Sequence, residues 1–204
     1  AYASTADWTS AIRILETGEQ RYPNSKLAPQ FKLDLAFSYY KYSQDAEAIA
    51  MLNKFIRLYP NHPTVDYAFY LKGVVLFVDR GLLDKFTFQD ISDRDVAPLK
   101  ESFQAFDIVV ERYPDSKYYE DSLIRMTYLM NKMAENEIHV ARYYMVRKAY
   151  IAALNRGQYV LQEYPQTIHQ EEALIIMISA YEFIGIQDLQ KDIEEILKLN
   201  YPDS

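Results

Sequence analysis

Five consecutive residues, Arg21-Tyr22-Pro23-Asn24-Ser25, decide the fold of this chain because variants of them recur four times. The variants occupy residues 57–61, 112–116, 163–167 and 201–204, and each contains Tyr-Pro. Proline cannot donate to a helix ladder and disfavours helical geometry in the residue before it, so each Tyr-Pro predicts a helix end. The Asn, Asp, Ser or Thr that follows is suited to cap the next helix. Each stretch therefore predicts a helix stop followed by a helix start.

The spacing of these stretches predicts a repeated helical hairpin. Their prolines are separated by 37, 54, 51 and 37 positions. Twelve positions before four of the prolines stand the small residues Ala11, Ala48, Ser102 and Ala153. Twenty-one positions before four of them stand Tyr2, Tyr39, Tyr144 and Tyr181. A small residue lets two helices approach closely, and a tyrosine one hairpin arm earlier fills the space beside it.

This pattern resembles the tetratricopeptide repeat, a helix-turn-helix unit of about 34 residues. Leu35, Ala36, Tyr39, Ala48 and Pro60 match its characteristic positions. We therefore expect an all-α fold, a right-handed helical solenoid of about five repeats, two of them enlarged. The whole chain, residues 1–204, is predicted to form one such solenoid, with repeats at residues 1–23 (partial), 24–62, 63–114, 115–165 and 166–204.

The two enlarged repeats carry their extra residues in different ways. Residues 79–98 lack clear periodicity, which predicts an inserted loop. Residues 115–156 contain neither proline nor glycine, so the extra residues there are expected to lengthen a helix. Leu123, Met126, Met130 and Met133 follow helical spacing and are predicted to face the core. Thr167 and Gln170 are expected to form a capping box at the start of the last repeat.

Composition excludes several classes of protein. Half of the 204 residues are hydrophobic, which is enough for a packed core. The net charge of −7 disfavours a dedicated nucleic-acid binder, whose affinity comes from neutralising phosphates. Without cysteine there are no disulfides and no thiolate metal sites. The chain opens abruptly in an amphipathic pattern, so we expect it to be a mature or trimmed fragment without its targeting segment.

No residue pattern points to catalysis. The three histidines lack a second metal ligand at helical spacing, and the five glycines are isolated rather than grouped in a phosphate-binding loop. Neighbouring carboxylates such as Glu194 and Glu195 are interpreted as a solvated helix face. The sequence therefore predicts a protein that is not an enzyme and that needs no cofactor.

Charge is unevenly distributed near the end of the chain. Residues 138–162 contain no acid but include Arg142, Arg147, Lys148 and Arg156. Residues 163–204 contain nine acids against Lys191 and Lys198. Two interpretations stay open: the two repeats neutralise each other internally, or the basic repeat is a docking surface for an acidic partner. Arginine suits the second because its planar fork binds carboxylates bidentately.

Four longer stretches carry a more specific resemblance. Residues 55–73, 111–118 and 141–157, together with Ser92-Asp93-Arg94-Asp95 inside the predicted loop, occur in the same order as in one lipoprotein family. The chain resembles the BamD family, the tetratricopeptide lipoproteins of the outer-membrane β-barrel assembly machinery of Gram-negative bacteria. The resemblance covers nearly the whole chain and includes both enlarged repeats, although residues after Pro165 match only in pattern.

The resemblance implies a location and a set of partners. Members are non-enzymatic adaptors at the periplasmic face of the outer membrane, tethered by a lipidated N-terminal cysteine that this sequence lacks. Their C-terminal repeats bind the last POTRA domain of the barrel-forming BamA-type subunit. They also bind the BamC-type lipoprotein, and their N-terminal repeats engage unfolded outer-membrane β-barrel proteins. The C-terminal half is thus expected to dock partners and the N-terminal half to bind substrates.

The resemblance and the charge pattern together nominate candidate site residues. The Asn-Arg pair of the family matches Asn155 and Arg156, whose arginine is implicated in the POTRA contact, and Arg147 and Lys148 lie in the same basic repeat. The loop residues Ser92, Asp93, Arg94 and Asp95 form a second candidate. A groove for extended, aromatic-ended peptides is expected at Tyr39, Tyr40, Lys41 and Tyr70.

Two other kinds of tetratricopeptide protein are alternatives to the BamD family. A periplasmic protein of the cell-division coordinator type also carries repeated Tyr-Pro stretches, but its repeats are more regular. A cytosolic co-chaperone that clamps a peptide carboxylate needs more basic residues on its first helices than Lys32 and Lys41. The residue upstream of Ala1 would discriminate, because a lipobox cysteine fits the first interpretation and excludes a cytosolic protein.

Overall fold

The computed structural model describes residues 7–77 and 96–202, and all regular structure within them is helical. The predicted all-α fold is confirmed. The predicted inserted loop, near residues 79–98, lies outside the described residues from 79 to 95. This part includes Ser92, Asp93, Arg94 and Asp95. The helices are α1 (Trp8–Arg21), α2 (Ala28–Lys41), α3 (Asp45–Leu58), α4 (Val65–Leu76), α5 (Ala97–Arg112), α6 (Tyr119–Val146), α7 (Tyr150–Glu163), α8 (Gln170–Ile184) and α9 (Gln187–Asn200).

The chain divides into two compact units. Unit 1 comprises residues 1–79 and 97–126, and unit 2 comprises residues 80–96 and 127–204. In unit 1, α1 packs against α2, α2 against α3, α3 against α4 and α4 against α5. In unit 2, α7 packs against α8 and α8 against α9. Packing of helices that follow each other along the chain is the arrangement of tetratricopeptide-like repeats.

All five Tyr-Pro stretches end a helix, as the sequence predicts. Helices α1, α3, α5, α7 and α9 each end at the residue immediately before the tyrosine. The helix starts are different from the expectation, because the small polar residues do not cap the next helix. Ser25 Oγ accepts from the backbone N–H of Leu27, and Ser116 Oγ accepts from that of Tyr118, so both side chains stabilise the turn itself. After the first four Tyr-Pro stretches, the next helix begins five positions beyond the proline.

The capping box predicted for Thr167 and Gln170 is wrong. Thr167 Oγ1 donates to the carbonyl oxygen of Tyr164 at 3.0 Å. Gln170 Nε2 also donates to that oxygen, at 2.8 Å, and to the carbonyl oxygen of Val160 at 3.1 Å. Both side chains therefore donate to carbonyl oxygens at the end of α7 and leave the open amides at the start of α8 uncapped.

A second type of turn joins the two helices of a repeat. The backbone N–H groups of Gln44, Ala149 and Ile186 donate to the carbonyl oxygens of Tyr39, Tyr144 and Tyr181, the tyrosines found at the fixed offset. This bond belongs to the Schellman motif, which needs a residue in the left-handed region just before the donor. Ser43, Lys148 and Gly185 occupy that position, with φ of 61°, 60° and 86°.

The small residues at the other offset are buried at helix contacts. Ala48, Ser102 and Ala153 are each 0% exposed, while Ala11 is half-buried. Ser102 Oγ donates to the carbonyl oxygen of Gly73 at 2.9 Å, which joins α5 to α4. A Cβ atom on Gly73 would come within 2.6 Å of the Phe106 ring. The crossing of α4 and α5 therefore leaves no room for a side chain at Gly73.

Each unit has its own apolar core. In unit 1 the core is built around the fully buried side chains of Leu35, Leu52 and Phe55. The lengthened helix α6 is 28 residues long, as expected from the missing proline and glycine, and it contributes Leu129, Met133 and Ile138 to unit 2. Of the predicted core stripe on α6, Met133 is buried, and Leu123, Met126 and Met130 are half-buried. No helix among the described residues is long and apolar enough to cross a membrane.

Candidate interaction surfaces

Arg156, the leading docking candidate, is engaged inside unit 2. Its Nη1 donates to Glu137 Oε2 on α6 at 2.9 Å. Glu137 is 8% exposed, whereas the Arg156 side chain keeps 43% of its area exposed. Glu137 stands one position before the acid-free run of residues 138–162, so inspection of that run alone does not reveal the partner.

Arg142 pairs with the acidic repeat that follows it. Its guanidinium contacts Glu172 on α8, and both side chains are partly exposed. Arg142 of the basic repeat is therefore neutralised internally, by Glu172 of the acidic repeat. For Arg156 the internal partner is Glu137 rather than Glu171 or Glu172.

Arg147 and Lys148 have no ion pair among the described residues. Both are exposed, in the turn between α6 and α7. The Arg147 guanidinium lies 4.7 Å from the centre of the Tyr143 ring, a cation–π contact that orients it. Lys148 holds the left-handed position of the Schellman turn. These two cations therefore remain available to an external carboxylate.

Exposed apolar side chains surround the same turn. Val146 is 83% exposed and Ile151 is 67% exposed, one on each side of it. Phe183, near the end of α8, is 64% exposed and stacks on Tyr150 with ring centres 4.8 Å apart and planes 7° apart. Asn155 is exposed and lies one helical turn after Ile151 on the same side of α7. The sequence did not predict the Tyr150–Phe183 contact, because it joins residues far apart in the chain.

The four residues of the predicted peptide groove lie in three environments within unit 1. Tyr39 is in the core, 9% exposed, and its hydroxyl donates to Glu16 Oε1 at 2.6 Å. Burial, followed by the bond to Glu16, raises the pKa of Tyr39 well above its ordinary value. Tyr39 is thus a core residue, as its fixed position in the repeat implies, and does not line a groove.

Tyr40 and Lys41 do lie together. The Lys41 ammonium is 5.4 Å from the centre of the Phe37 ring and 5.5 Å from that of Tyr40. Phe37 contacts Tyr40 at 6.5 Å and meets the Trp8 ring edge-on at 6.0 Å. These four residues, Trp8, Phe37, Tyr40 and Lys41, form an aromatic cluster with an exposed cation.

Tyr70 belongs to a separate aromatic wall. It stacks on Tyr118 with ring centres 4.4 Å apart, and its hydroxyl donates to Asp121 Oδ2 at 2.7 Å. Arg125 Nε donates to the same carboxylate oxygen at 2.5 Å. Burial is the main cause that raises the pKa of Tyr70, and the bond to Asp121 adds to it.

A cleft of about 400 Å³ lies close to this wall. Tyr67 and Tyr118, which contact each other at 5.4 Å, line it together with residues from the turns that follow Pro60 and Pro114. Burial raises the pKa of Tyr67 to about 12. The sequence did not predict the cleft, because its lining comes from three of the predicted repeats, whose relative packing is not visible in the repeat pattern. Among residues 7–77 and 96–202, no group of His, Cys, Asp or Glu is placed to hold a metal ion.

Comparison with known proteins identifies the family. A family model described as outer membrane lipoprotein, YfiO, matches residues 2–196. The outer membrane protein assembly factor BamD of Neisseria meningitidis serogroup A is 43% identical over 202 residues, which cover 98% of this chain and 76% of that protein. The BamD proteins of Vibrio cholerae and Haemophilus influenzae are 36% and 30% identical over 194 residues, covering 95% of this chain and 80% and 74% of those proteins. This chain belongs to the BamD family.

Proposed function

We propose that this chain is a non-catalytic adaptor in the assembly of outer-membrane proteins, acting at the periplasmic face of the outer membrane. The observation that carries the proposal is the match over nearly the whole chain to proteins named outer membrane protein assembly factors. The helical-repeat fold supports it, because such repeats provide extended surfaces for protein partners. Membrane contact is proposed only through an N-terminal lipid anchor outside this sequence.

The C-terminal half docks on the POTRA domain of a BamA-type subunit through Asn155, Arg156, Arg147 and Lys148. Arg147 and Lys148 are exposed and have no described ion pair, so a carboxylate of the partner can approach them. Arg156 uses one of its five N–H donors on Glu137 and keeps others for a second acceptor. A BamC-type lipoprotein is a further partner.

The N-terminal half binds segments of unfolded outer-membrane β-barrel proteins. The aromatic cluster offers ring faces for an aromatic residue at the end of a peptide, and Lys41 offers a charge for its terminal carboxylate. The cleft beside Tyr70 is large enough for side chains of an extended segment. The loop residues Ser92, Asp93, Arg94 and Asp95 remain a proposed contact.

Binding to isolated POTRA domains tests the docking part. Each soluble POTRA domain of the barrel-forming subunit is titrated into the chain by calorimetry, and the last domain is expected to bind while the others do not. Arg156→Glu should weaken this binding more than Arg142→Glu, a matched arginine that is also ion-paired but lies outside the proposed docking set. Equal binding by all domains, or no binding by the last one, would refute the docking assignment.

A further inference from the structure

We infer that an apolar and basic patch around the α6–α7 turn is a docking surface for a protein whose aliphatic side chains are flanked by carboxylates. The patch, called here the turn patch, consists of Val146, Arg147, Lys148, Tyr150, Ile151 and Phe183. The inference rests on the proposed docking function and deepens it. It assigns binding to apolar residues that neither the charge pattern nor the family resemblance nominates.

The apolar side chains of the turn patch are largely exposed, and two of its rings are in contact. Val146, Ile151 and Phe183 are 83%, 67% and 64% exposed. Single exposed apolar residues are common on soluble proteins, but a group beside a turn is typical of an interaction site. The stack of Tyr150 on Phe183, with planes 7° apart, holds the Phe183 ring in place. A ring that is already fixed loses little conformational freedom when a partner covers it.

The cations of the turn patch indicate the charge of the partner. Arg142 and Arg156, elsewhere in unit 2, are neutralised by Glu172 and Glu137. Arg147 and Lys148 have no such partner in the part of the chain that the structure describes. Covering them with an apolar surface alone would leave two charges desolvated and unpaired, which is unfavourable. A partner that covers the apolar side chains must therefore bring carboxylates to this rim.

The backbone at Lys148 supports the same conclusion. Lys148 has φ of 60°, in the left-handed region that glycine adopts without steric cost. Gly185 fills the equivalent position in the next repeat, so the turn itself does not need a side chain there. The turn therefore does not require the Lys148 side chain, whose exposed ammonium is available to a partner.

A protein fits the turn patch better than an anionic membrane surface. Glu182 is exposed next to Phe183, and Asp188 is exposed at the start of α9. Exposed carboxylates this near to Phe183 in the chain would be repelled by anionic lipid headgroups, and the whole chain carries a net charge of −7. A protein interface can place its own cations opposite these acids and its carboxylates opposite Arg147 and Lys148.

Calorimetry with the soluble last POTRA domain of the barrel-forming subunit tests the inference. Val146→Ser is compared with Leu199→Ser, because Val146 and Leu199 are both 83% exposed and only the first belongs to the turn patch. We expect Val146→Ser to raise the Kd, its combination with Ile151→Ser to raise the Kd by about tenfold or more, and Leu199→Ser to leave it unchanged. Neither variant should alter the melting temperature.

A second pair of variants separates binding from folding. Lys148→Gly and Ser43→Gly both place glycine at a left-handed position and should raise the melting temperature. Only Lys148→Gly should also weaken binding to the POTRA domain. A gain in stability together with a loss of affinity is not expected of a residue with a purely structural role.

The outcomes distinguish the inference from the proposed function. If the unaltered chain does not bind the POTRA domain, the docking function and the inference fall together. If it binds and the turn-patch variants bind equally well, only the inference is refuted. Flotation of the chain with phosphatidylglycerol vesicles that depends on Val146 and Phe183, or self-association in sedimentation that Val146→Ser abolishes, would also overturn it in favour of a membrane or a second copy of the chain.

Discussion

Arg156 on α7 donates to the nearly buried carboxylate of Glu137 on α6 at 2.9 Å. The two residues differ sharply in exposure, since 43% of the Arg156 side chain is exposed but only 10% of the Glu137 side chain. Arg156 thus neutralises a carboxylate inside unit 2 and also presents its remaining N–H donors to solvent. A change at Arg156 is therefore expected to affect folding as well as any docking.

Replacing Arg156 by alanine should destabilise unit 2. It leaves the Glu137 carboxylate nearly buried without its cation, and because Arg156 itself is partly exposed we expect a loss of about 1–2 kcal/mol in the free energy of unfolding. Urea denaturation of Arg156→Ala, of Glu137→Gln and of the double variant measures the coupling free energy between Arg156 and Glu137. Arg142→Ala is the control and should cost about 0.5 kcal/mol or less, because both partners there are partly exposed, at 53% and 33%. Identical unfolding of Arg156→Ala and the parent would show that the ion pair contributes nothing.

Glu137→Gln should strengthen docking if Arg156 contacts a partner carboxylate. The variant removes the internal charge that competes for the guanidinium, while an amide oxygen can still accept one hydrogen bond. We expect tighter binding to the last POTRA domain by a few-fold, in the direction given by electrostatic complementarity. The exposed Glu163, on the same helix as Arg156, provides the control Glu163→Gln. Weaker binding by Glu137→Gln would mean that Glu137 orients Arg156 rather than competing for it.

Alanine at two glycines should change stability in opposite directions. Gly73→Ala places a Cβ atom about 2.6 Å from Phe106, at the contact fixed by Ser102, and overpacking of this kind typically costs about 1–3 kcal/mol. Gly18→Ala meets only ordinary contacts at 3.6 Å from Phe31, so α1 should gain about 0.5–1 kcal/mol from the better helix former. Thermal unfolding of both variants measures this. Stabilisation by Gly73→Ala would contradict the tight crossing of α4 and α5.

The helix ends could be predicted from the sequence because the effect of proline is local. Every Tyr-Pro stretch ends a helix, whatever packs around it. The helix starts could not be predicted as well, because hydrogen bonds within the turn compete with capping for the same side chains. Gln170 is the clearest case: its side chain reaches back to the carbonyl oxygens of Val160 and Tyr164 instead of to its own helix.

The candidate surfaces depend on contacts that the repeat pattern does not contain. The sequence indicated Arg147 and Lys148 by charge alone, and the structure leaves both without an ion pair among the described residues. It did not indicate the Arg156–Glu137 pair or the Tyr150–Phe183 stack, because each joins two helices and depends on the register of their packing. Tyr39 and Tyr70 are both helical tyrosines, yet only the packing distinguishes the core position from the aromatic wall.

Acid should weaken unit 1 through Glu19. This carboxylate is bonded to Lys54 at 2.6 Å and lies 3.2 Å from the buried Lys32. The bond to Lys54 is the main cause that lowers the pKa of Glu19 below its ordinary value of 4.5. A lowered folded-state pKa gives stability that is present above pH 4.5 and is lost as the pH falls through the lowered value. Unfolding measured from pH 7 to pH 3 should show a shallower loss for Glu19→Gln than for the control Glu101→Gln, and equal slopes would contradict this role.

Peptide binding at the aromatic cluster should depend on a free terminal carboxylate. Tyr40 supplies a ring face and Lys41 a cation held over the rings of Phe37 and Tyr40, so a peptide that ends in an aromatic residue satisfies both only if its carboxylate is charged. A photo-crosslinking residue at position 40 should label a peptide from the end of an outer-membrane β-barrel protein. Amidation of the peptide, or Lys41→Met, should reduce the labelling several-fold, because a charge-assisted contact is lost. Ile168 of unit 2, 81% exposed, is the control position and should give no labelling. Labelling from position 168 but not from position 40 would move the substrate site to the C-terminal half.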